Sequence, residues 1–164
     1  MPNTKNKPSA PAVKKVPFAV SEAYKSIRTN LISKLSKEQK KVIAISSSNA
    51  SEGKSTTAIN IAISLSQLGK KVLLVDTDAH RPSITAKLGL KAENGIMDVI
   101  AGFCEANYAA ISYNSLLDIL TIGHIPQNPT EVFASASFEE CIKEFAVNYD
   151  FVIIDTPPVN VLSD

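Results

Sequence analysis

The stretch that decides the fold is Ser46-Ser47-Ser48-Asn49-Ala50-Ser51-Glu52-Gly53-Lys54-Ser55-Thr56-Thr57. It lies between a short β-branched run, Val42 to Ile45, and a run with apolar residues on nearly every side that ends at Gly69. The first run predicts a buried strand and the second a helix. In a strand-loop-helix unit of this kind, backbone N–H groups and the helix N-terminus bind an anion. The stretch therefore predicts a phosphate-binding loop.

Two side chains of this loop have the chemistry that a phosphate site needs. Lys54 would reach the outer phosphates, and the hydroxyl of Ser55 would ligate magnesium. The usual pattern is G-x-x-x-x-G-K-[ST], and this chain has Ser48 where the first glycine belongs. The match is partial, and a Gly-Lys-Ser triplet alone does not separate a nucleotide site from a polar helix cap.

Three carboxylates follow apolar runs that predict strands. Asp76 and Asp78 follow one run and Asp155 ends another. Apolar strands that alternate with helices predict a parallel sheet covered on both faces, and ligands bind at the carboxyl edge of such a sheet. Asp76 and Asp78 are two residues apart, so they would project to the same side and could hold magnesium or take a proton, although surface aspartates would also fit that spacing. Asp155 fits the acidic residue that positions magnesium, and the three together with the loop favour nucleotide binding.

Composition excludes several classes of protein. The chain has 164 residues, 45% of them hydrophobic, and a net charge of +1, which predicts one domain without the basic excess of a general nucleic-acid binder. Its apolar runs are too short to cross a bilayer and no signal peptide is visible, so we expect a cytoplasmic protein. Residues 1–17 are rich in proline and lysine and predict a flexible leader. Cys104 and Cys141 are not in a Cys-x-x-Cys pair and are expected to be small buried thiols.

A helix is predicted after the leader. Its buried stripe would consist of apolar residues that recur every fourth position: Ala23, Ile27, Leu31 and Leu35. Glu22, Lys25 and Arg28 recur at three-residue spacing and would share a side of the helix. From spacing alone, this side is either a solvated charged face or an intermolecular charge ladder.

From about Phe18 to Asp164, the sequence resembles the cytoplasmic bacterial tyrosine kinases of capsule and exopolysaccharide systems, often called BY-kinases. The segments that carry the resemblance are Ser21 to Asn30, the loop quoted above, Val75 to Ser83, Gly123 to Glu131, and Asp150 to Pro158. The resemblance implies an α/β fold, a P-loop NTPase-like three-layer α/β/α sandwich with a mainly parallel sheet that is incomplete at the C-terminus. It also implies an ATP-dependent protein-tyrosine kinase, acting on itself and on other proteins, that regulates polysaccharide synthesis and export.

The same resemblance assigns roles within the site, with ATP and Mg²⁺ as cofactors. Residues predicted to bind the nucleotide are Ser51, Glu52, Gly53, Lys54, Ser55 and Thr56. The predicted catalytic residues are Lys54, Asp76 and Asp78, with either aspartate as the base. Ser55, Asp76 and Asp155 are predicted to hold the metal.

Partners are implied in the same way. Glu22, Lys25 and Arg28 resemble the E-x-x-R-x-x-R motif through which the family assembles rings, with Lys25 in place of an arginine. A transmembrane adaptor would activate the kinase at the inner face of the plasma membrane, and protein tyrosines would be the substrates. The family continues beyond residue 164 to a tyrosine-rich tail, so the predicted domain, residues 18–164, would lack part of the adenine pocket and expose a strand edge.

Two other functions fit the same loop. One is a dimerising switch ATPase like those that partition chromosomes or position division sites (ParA/MinD-like). Those proteins carry a signature lysine early in the loop, and Asn49 stands at that position here. The other is an inactive nucleotide-binding partner subunit.

Overall fold

The computed structural model describes residues 17–38 and 41–161, so the predicted leader lies outside the described residues except for Pro17. In chain order the elements are α1 (Phe18–Glu38), β1 (Val42–Ile45), α2 (Lys54–Gln67), β2 (Val72–Asp76), α3 (Ile84–Leu88), α4 (Ile96–Ile100), α5 (Ala106–Ala109), β3 (Ile111–Asn114), β4 (Leu117–Leu120), α6 (Pro129–Phe133), α7 (Ala136–Asn148) and β5 (Phe151–Asp155). A short 3₁₀ turn, Val159–Val161, follows β5. Within the described ranges, no helix is long and apolar enough to cross a membrane.

The strands form one five-stranded sheet in the order β1-β5-β2-β4-β3. β5 pairs in parallel with both β1 and β2, and β2 pairs in parallel with β4. Among the described strands, only the pairing of β3 with β4 is antiparallel. The prediction of a mainly parallel sheet is confirmed, and this arrangement brings the carboxyl ends of β1, β5 and β2 to one edge.

Helices cover both faces of this sheet. On one face, α1, α2 and α3 pack a core that includes Leu65, Leu74 and Ile84. On the other face, α4 to α7 pack a second core that includes Val75 and Phe145. The predicted three-layer α/β/α sandwich is therefore confirmed.

The predicted buried stripe of α1 is only partly correct. Leu31 and Leu35 pack on the first core, but their neighbours there are Tyr24 and Ile32. Ile27 is 40% exposed. A spacing of exactly four residues drifts around a helix that has 3.6 residues per turn, and the true inward stripe follows the helical period instead.

β1 was expected to be a buried strand, and that expectation is wrong. Val42 is 37% exposed and Ala44 is also exposed, while Ile43 and Ile45 pack on the first core. The cause is the position of β1 at the edge of the sheet, where its only partner among the described strands is β5. The expected open strand edge is thus present at β1.

Short elements and the cysteines differ from expectation. Three elements of only four or five residues were not predicted from the sequence: β3, α5 and α6. Cys104 and Cys141 are partly rather than fully buried, and both are free thiols. Burial raises the pKa of Cys104, and it raises the pKa of Cys141 to about 11, which favours the protonated thiol over the nucleophilic thiolate.

Candidate functional site

The loop between β1 and α2 has the backbone of an anion-binding turn. Gly53 precedes the first residue of α2 with a φ of 90°, a left-handed conformation that favours glycine. Ser51 has a φ of 66°, the one positive value at a non-glycine residue in the described ranges. Such a φ is uncommon for a residue other than glycine. The loop delivers Lys54 and Ser55 to the N-terminus of a 14-residue helix.

Side chains hold the loop in shape from its outer side. The carboxylate of Glu52 accepts hydrogen bonds from Ser48 N–H and from Asn49 Nδ2, both at 3.0 Å. Asn160 Nδ2 donates to Asn49 Oδ1 at 3.0 Å, and the N–H of Val159 donates to Ser47 O at 3.0 Å. The hydrogen bond from Asn49 lowers the pKa of Glu52. The loop is therefore tied to the segment after β5, and Asn49 is engaged within its own chain.

The strand-end carboxylates converge as predicted. Asp76 and Asp155 are direct neighbours in the register of β2 and β5, and both are essentially buried. Asp78 lies in the turn after β2, and its N–H donates to Asp76 Oδ1 at 3.1 Å. Ile84 N–H donates to Asp76 Oδ2 at 3.3 Å. Asp76 thus folds back to organise the turn, rather than projecting beside Asp78 from an extended segment.

Lys54 lies against these carboxylates. Its Nζ donates to Asp78 Oδ2 at 2.6 Å and is 3.7 Å from Asp155 Oδ1. Ser55 Oγ accepts from the same Nζ at 3.5 Å. The side chain of Lys54 is only 8% exposed, so the ion pair is shielded from water. Sequence reasoning did not predict this contact, which joins the loop to β2 and β5.

The three carboxyl groups have different proton affinities because their surroundings differ. Burial, reinforced by the charges of Asp155 and Asp78, raises the pKa of Asp76 to about 6. Burial also raises the pKa of Asp155. Burial opposes ionisation of Asp78 as well, but hydrogen bonds from Lys54 and from Arg81 N–H outweigh it and lower the pKa of Asp78.

The donor set fits magnesium bound together with phosphate oxygens. In the described ranges, no group of three or more His, Cys, Asp or Glu side chains could hold a metal ion. Both carboxylate oxygens of Asp155 are buried without a hydrogen-bond partner among the described residues, and Ser55 is 6% exposed. Mg²⁺ typically takes one or two carboxylates and completes its shell with phosphate and water. Ser55 and Asp155 match that requirement, whereas both oxygens of Asp76 already accept N–H bonds.

A cavity of about 480 Å³ opens in front of the loop. Its lining residues are Ala50, Ser51, Gly53, Lys54, Ser55, Thr56, Asp78, His80, Arg81, Ser83, Lys87 and Pro158. Of the residues predicted to bind nucleotide, Glu52 is not part of this lining, because its carboxylate turns back to Ser48. Sequence reasoning did not assign the wall formed by His80, Arg81 and Lys87, although it directly follows Asp78 in the chain.

The predicted charge ladder of α1, formed by Glu22, Lys25 and Arg28, does not lie on one surface. Lys25 pairs with Glu22 at 2.8 Å on the exposed surface. Arg28 turns to α2 instead, where Nη1 donates to Ser64 O at 2.9 Å, and its buried Nε has no partner in the part of the chain that the structure describes. The three side chains therefore do not form one exposed row, and their role in assembly stays a prediction.

Comparison with known proteins agrees with this geometry. A family model described as an AAA domain matches residues 40–163. Tyrosine-protein kinase YwqD of Bacillus subtilis is 39% identical over 145 residues, which cover 88% of this chain and 61% of that protein. Tyrosine-protein kinase CpsD of Streptococcus pneumoniae serotype 4 is 34% identical over 157 residues, which cover 93% of this chain and 68% of that protein. The chain belongs to this family of bacterial tyrosine-protein kinases.

Solved structures separate the kinase family from the switch ATPases. The crystal structure of the chimerical protein CapA2B2 matches this kinase domain with a TM-score of 0.79 and 36% identity, over 89% of this chain and 64% of that chain. The septum site-determining protein MinD of Pyrococcus horikoshii, complexed with Mg-ADP, matches with a TM-score of 0.59 and 29% identity, over 70% of this chain and 48% of that chain. The ParA/MinD-like alternative is not favoured, since the match is poorer and Asn49 replaces the signature lysine.

Proposed function

We propose that this kinase domain transfers the γ-phosphoryl group of ATP to tyrosine hydroxyls, in a protein that regulates capsular or extracellular polysaccharide synthesis. The observation that carries the proposal is the buried contact of Lys54 with Asp78 and Asp155 at the end of the loop, in a chain whose relatives are tyrosine-protein kinases. Because the chain spans only 61% of YwqD, the activity of the whole protein remains a proposal.

The reaction forms a bond between the tyrosine Oη and the γ-phosphorus and breaks the bond from that phosphorus to the β,γ-bridging oxygen. ADP leaves with the electron pair, and the tyrosine proton passes to a carboxylate. The transition state is loose, so positioning and charge contribute more than early deprotonation. Magnesium, held by Ser55 and Asp155, would neutralise charge on the phosphates. Lys54 would move from Asp78 to the phosphates.

Asp78 is the better candidate for the proton acceptor. It lines the cavity, whereas Asp76 is absent from the lining and both of its carboxylate oxygens accept backbone N–H bonds. Geometry comes before pKa in choosing a base. When Lys54 leaves for the phosphates, Asp78 loses the partner that lowers its pKa, and its affinity for the proton rises. Asp76 would act as a positioning residue through its bond from Asp78 N–H.

Lys54→Met tests the proposal. We expect loss of phosphotyrosine by about 10³-fold or more, because a methionine supplies no charge to the transition state. The measurement is phosphotyrosine formation with γ-labelled ATP, magnesium and a tyrosine peptide. The exposed Lys91→Met variant is the matched control, and thermal melts confirm that both variants fold. Phosphoryl transfer at wild-type level by Lys54→Met contradicts the kinase assignment. If the wild-type chain hydrolyses ATP without forming phosphotyrosine, a switch ATPase is favoured instead.

Assembly and location are part of the same proposal. A ring of protomers would form through Glu22, Lys25 and Arg28, and Arg28 would have to leave Ser64 to take part. A transmembrane adaptor would hold the kinase at the inner face of the membrane.

A further inference from the structure

The cavity in front of the loop has two chemically different walls. One wall is the loop itself, with the N-terminus of α2 and Lys54. The other comes from the segment after β2 and from α3, and it carries Arg81 and Lys87. Both side chains are exposed, and neither forms an ion pair with any residue in the described ranges.

The positive charge of the cavity comes from this second wall. Asp78 is the one acidic residue among the described residues that line the cavity, and it is paired with Lys54 at 2.6 Å. Asp155 Oδ1 is also close to Lys54 Nζ, at a distance of 3.7 Å. The charge of Lys54 is therefore offset by carboxylates, whereas the charges of Arg81 and Lys87 are not. An anion that enters the cavity therefore meets two cationic side chains, Arg81 and Lys87, that no carboxylate among the described residues pairs with.

The basic wall is fixed to the carboxylates of the site. Arg81 N–H donates to Asp78 Oδ1 at 2.9 Å, and Ile84 N–H donates to Asp76 Oδ2 at 3.3 Å. α3 is anchored below by the buried side chains of Ile84 and Leu88. The carboxylates of Asp78 and Asp76, together with the buried side chains of α3, thus fix the backbone positions of Arg81 and Lys87.

We propose that Arg81 and Lys87 form a recognition site for acidic residues next to the acceptor tyrosine, so that the preferred substrate is an acidic peptide. The inference rests on the proposed kinase function. In phosphoryl transfer the acceptor approaches in line, opposite the leaving group. The loop, the helix N-terminus and Lys54 serve the nucleotide phosphates, which leaves Arg81 and Lys87 in the same cavity for charges on the acceptor.

Peptide binding tests this inference without turnover. Three labelled peptides with one central tyrosine are compared, with Glu, Gln or Lys at the flanking positions. Fluorescence anisotropy measures their affinity for the 164-residue chain in the presence of magnesium and a non-hydrolysable ATP analogue. We expect the Glu peptide to bind about three- to tenfold more tightly than the Gln peptide, the range for a pair of exposed ion pairs. The double variant Arg81→Glu/Lys87→Glu should instead prefer the Lys peptide.

The control variant Lys34→Glu/Lys91→Glu keeps the cavity intact. Both of its lysines are exposed and lie outside the cavity lining. The control replaces two basic residues by glutamate, so its net charge changes by the same amount as that of Arg81→Glu/Lys87→Glu. We expect it to keep the preference for Glu. Loss of the preference in this control would assign the effect to overall charge and overturn the proposal. Circular dichroism and thermal melts confirm that both double variants fold.

Nucleotide affinity and phosphotyrosine formation separate the remaining outcomes. If Arg81→Glu/Lys87→Glu weakens the ATP analogue while the order of peptide affinities stays unchanged, the two residues serve the nucleotide and the proposal is wrong. Equal binding of all peptides by the wild type also overturns it. If the preference is present and reverses in the variant while γ-labelled ATP gives no phosphotyrosine on any peptide, the acidic-peptide site stands and the kinase proposal fails.

Discussion

Asp76 carries a carboxylate that is 1% exposed, so its negative charge is costly in the folded protein. Burial, together with the charges of Asp155 and Asp78, raises its pKa to about 6 from an ordinary value of 3.8. A raised pKa means that the folded protein binds this proton more tightly than the unfolded chain does. The contribution of Asp76 to stability is therefore present below the ordinary pKa and is lost as the pH rises through about 6.

We predict that Asp76→Asn stabilises the protein at pH 7. An amide carries no charge, and its oxygen still accepts one backbone N–H, so the gain should be about 1–3 kcal/mol. At pH 4 the gain should vanish, since Asp76 is then protonated. Urea unfolding at both pH values measures the difference, and Glu140→Gln, at an exposed position on α7, is the control with no expected change. A less stable Asn variant at pH 7 would mean that both N–H bonds outweigh the cost of the charge.

At the residue scale, the sequence predicted which groups meet but not how they bond. Lys54, Asp76, Asp78 and Asp155 share one edge because the carboxyl ends of parallel strands meet there. The 2.6 Å contact of Lys54 with Asp78 depends on the turn after β2. The same turn brings Ile84 N–H to Asp76. Hydrophobic periodicity contains no information about such a turn, so these bonds were not predictable from it.

At the scale of elements, Asp98 joins α4 to the end of β4. Its Oδ2 accepts from Gly95 N–H at 2.8 Å and from His124 N–H at 3.2 Å, and its Oδ1 is 2.7 Å from His124 Nδ1. Burial opposes ionisation of Asp98, but these hydrogen bonds outweigh it and lower the pKa of Asp98. Gly123 lies inside this junction with a φ of 74°. A Cβ there would clash with the Asp98 carboxylate and the Gly95 backbone.

We predict that Gly123→Ala destabilises the protein by about 2–4 kcal/mol, the sum of a left-handed backbone cost and a steric cost. Gly102→Ala is the matched control, because its φ is 76° but a Cβ there meets nothing within 4 Å. The control should lose only about 1 kcal/mol. Chemical denaturation of both variants gives the comparison. Equal losses would show that the junction adapts to the methyl group without strain.

Long, strongly patterned elements were predictable from the sequence, and of the short ones the helices α3 and α4, which glycines follow, were predictable too. α2, β2 and β5 have apolar runs and bury them. β3 has four residues and an irregular register against β4, so no period of two develops. For such elements, packing against the sheet decides the structure more than local pattern does.

At the scale of the whole molecule, β1 has the sequence of a central strand in the position of an edge strand. Val42 to Ile45 is an entirely apolar run, and it lacks the charge or proline that protects natural sheet edges. An apolar run of this length cannot distinguish a central from an edge strand, which is why the sequence predicted a buried one. Sheet order is a property of the whole chain and becomes visible only in the fold.

This open edge predicts concentration-dependent self-association of the 164-residue chain. Strands of two copies would pair along β1, with Val42, 37% exposed, at the contact. Val42→Lys should weaken the association about tenfold, because a lysine in each copy removes an apolar cross-strand contact and adds repulsion. Sedimentation velocity over a range of concentrations measures it. Val147→Lys is the control, since Val147 is 80% exposed but lies on α7. A chain that stays monomeric at all concentrations would exclude pairing along β1. Equal effects of both variants would also exclude it, since exposed apolar area alone would then explain the association.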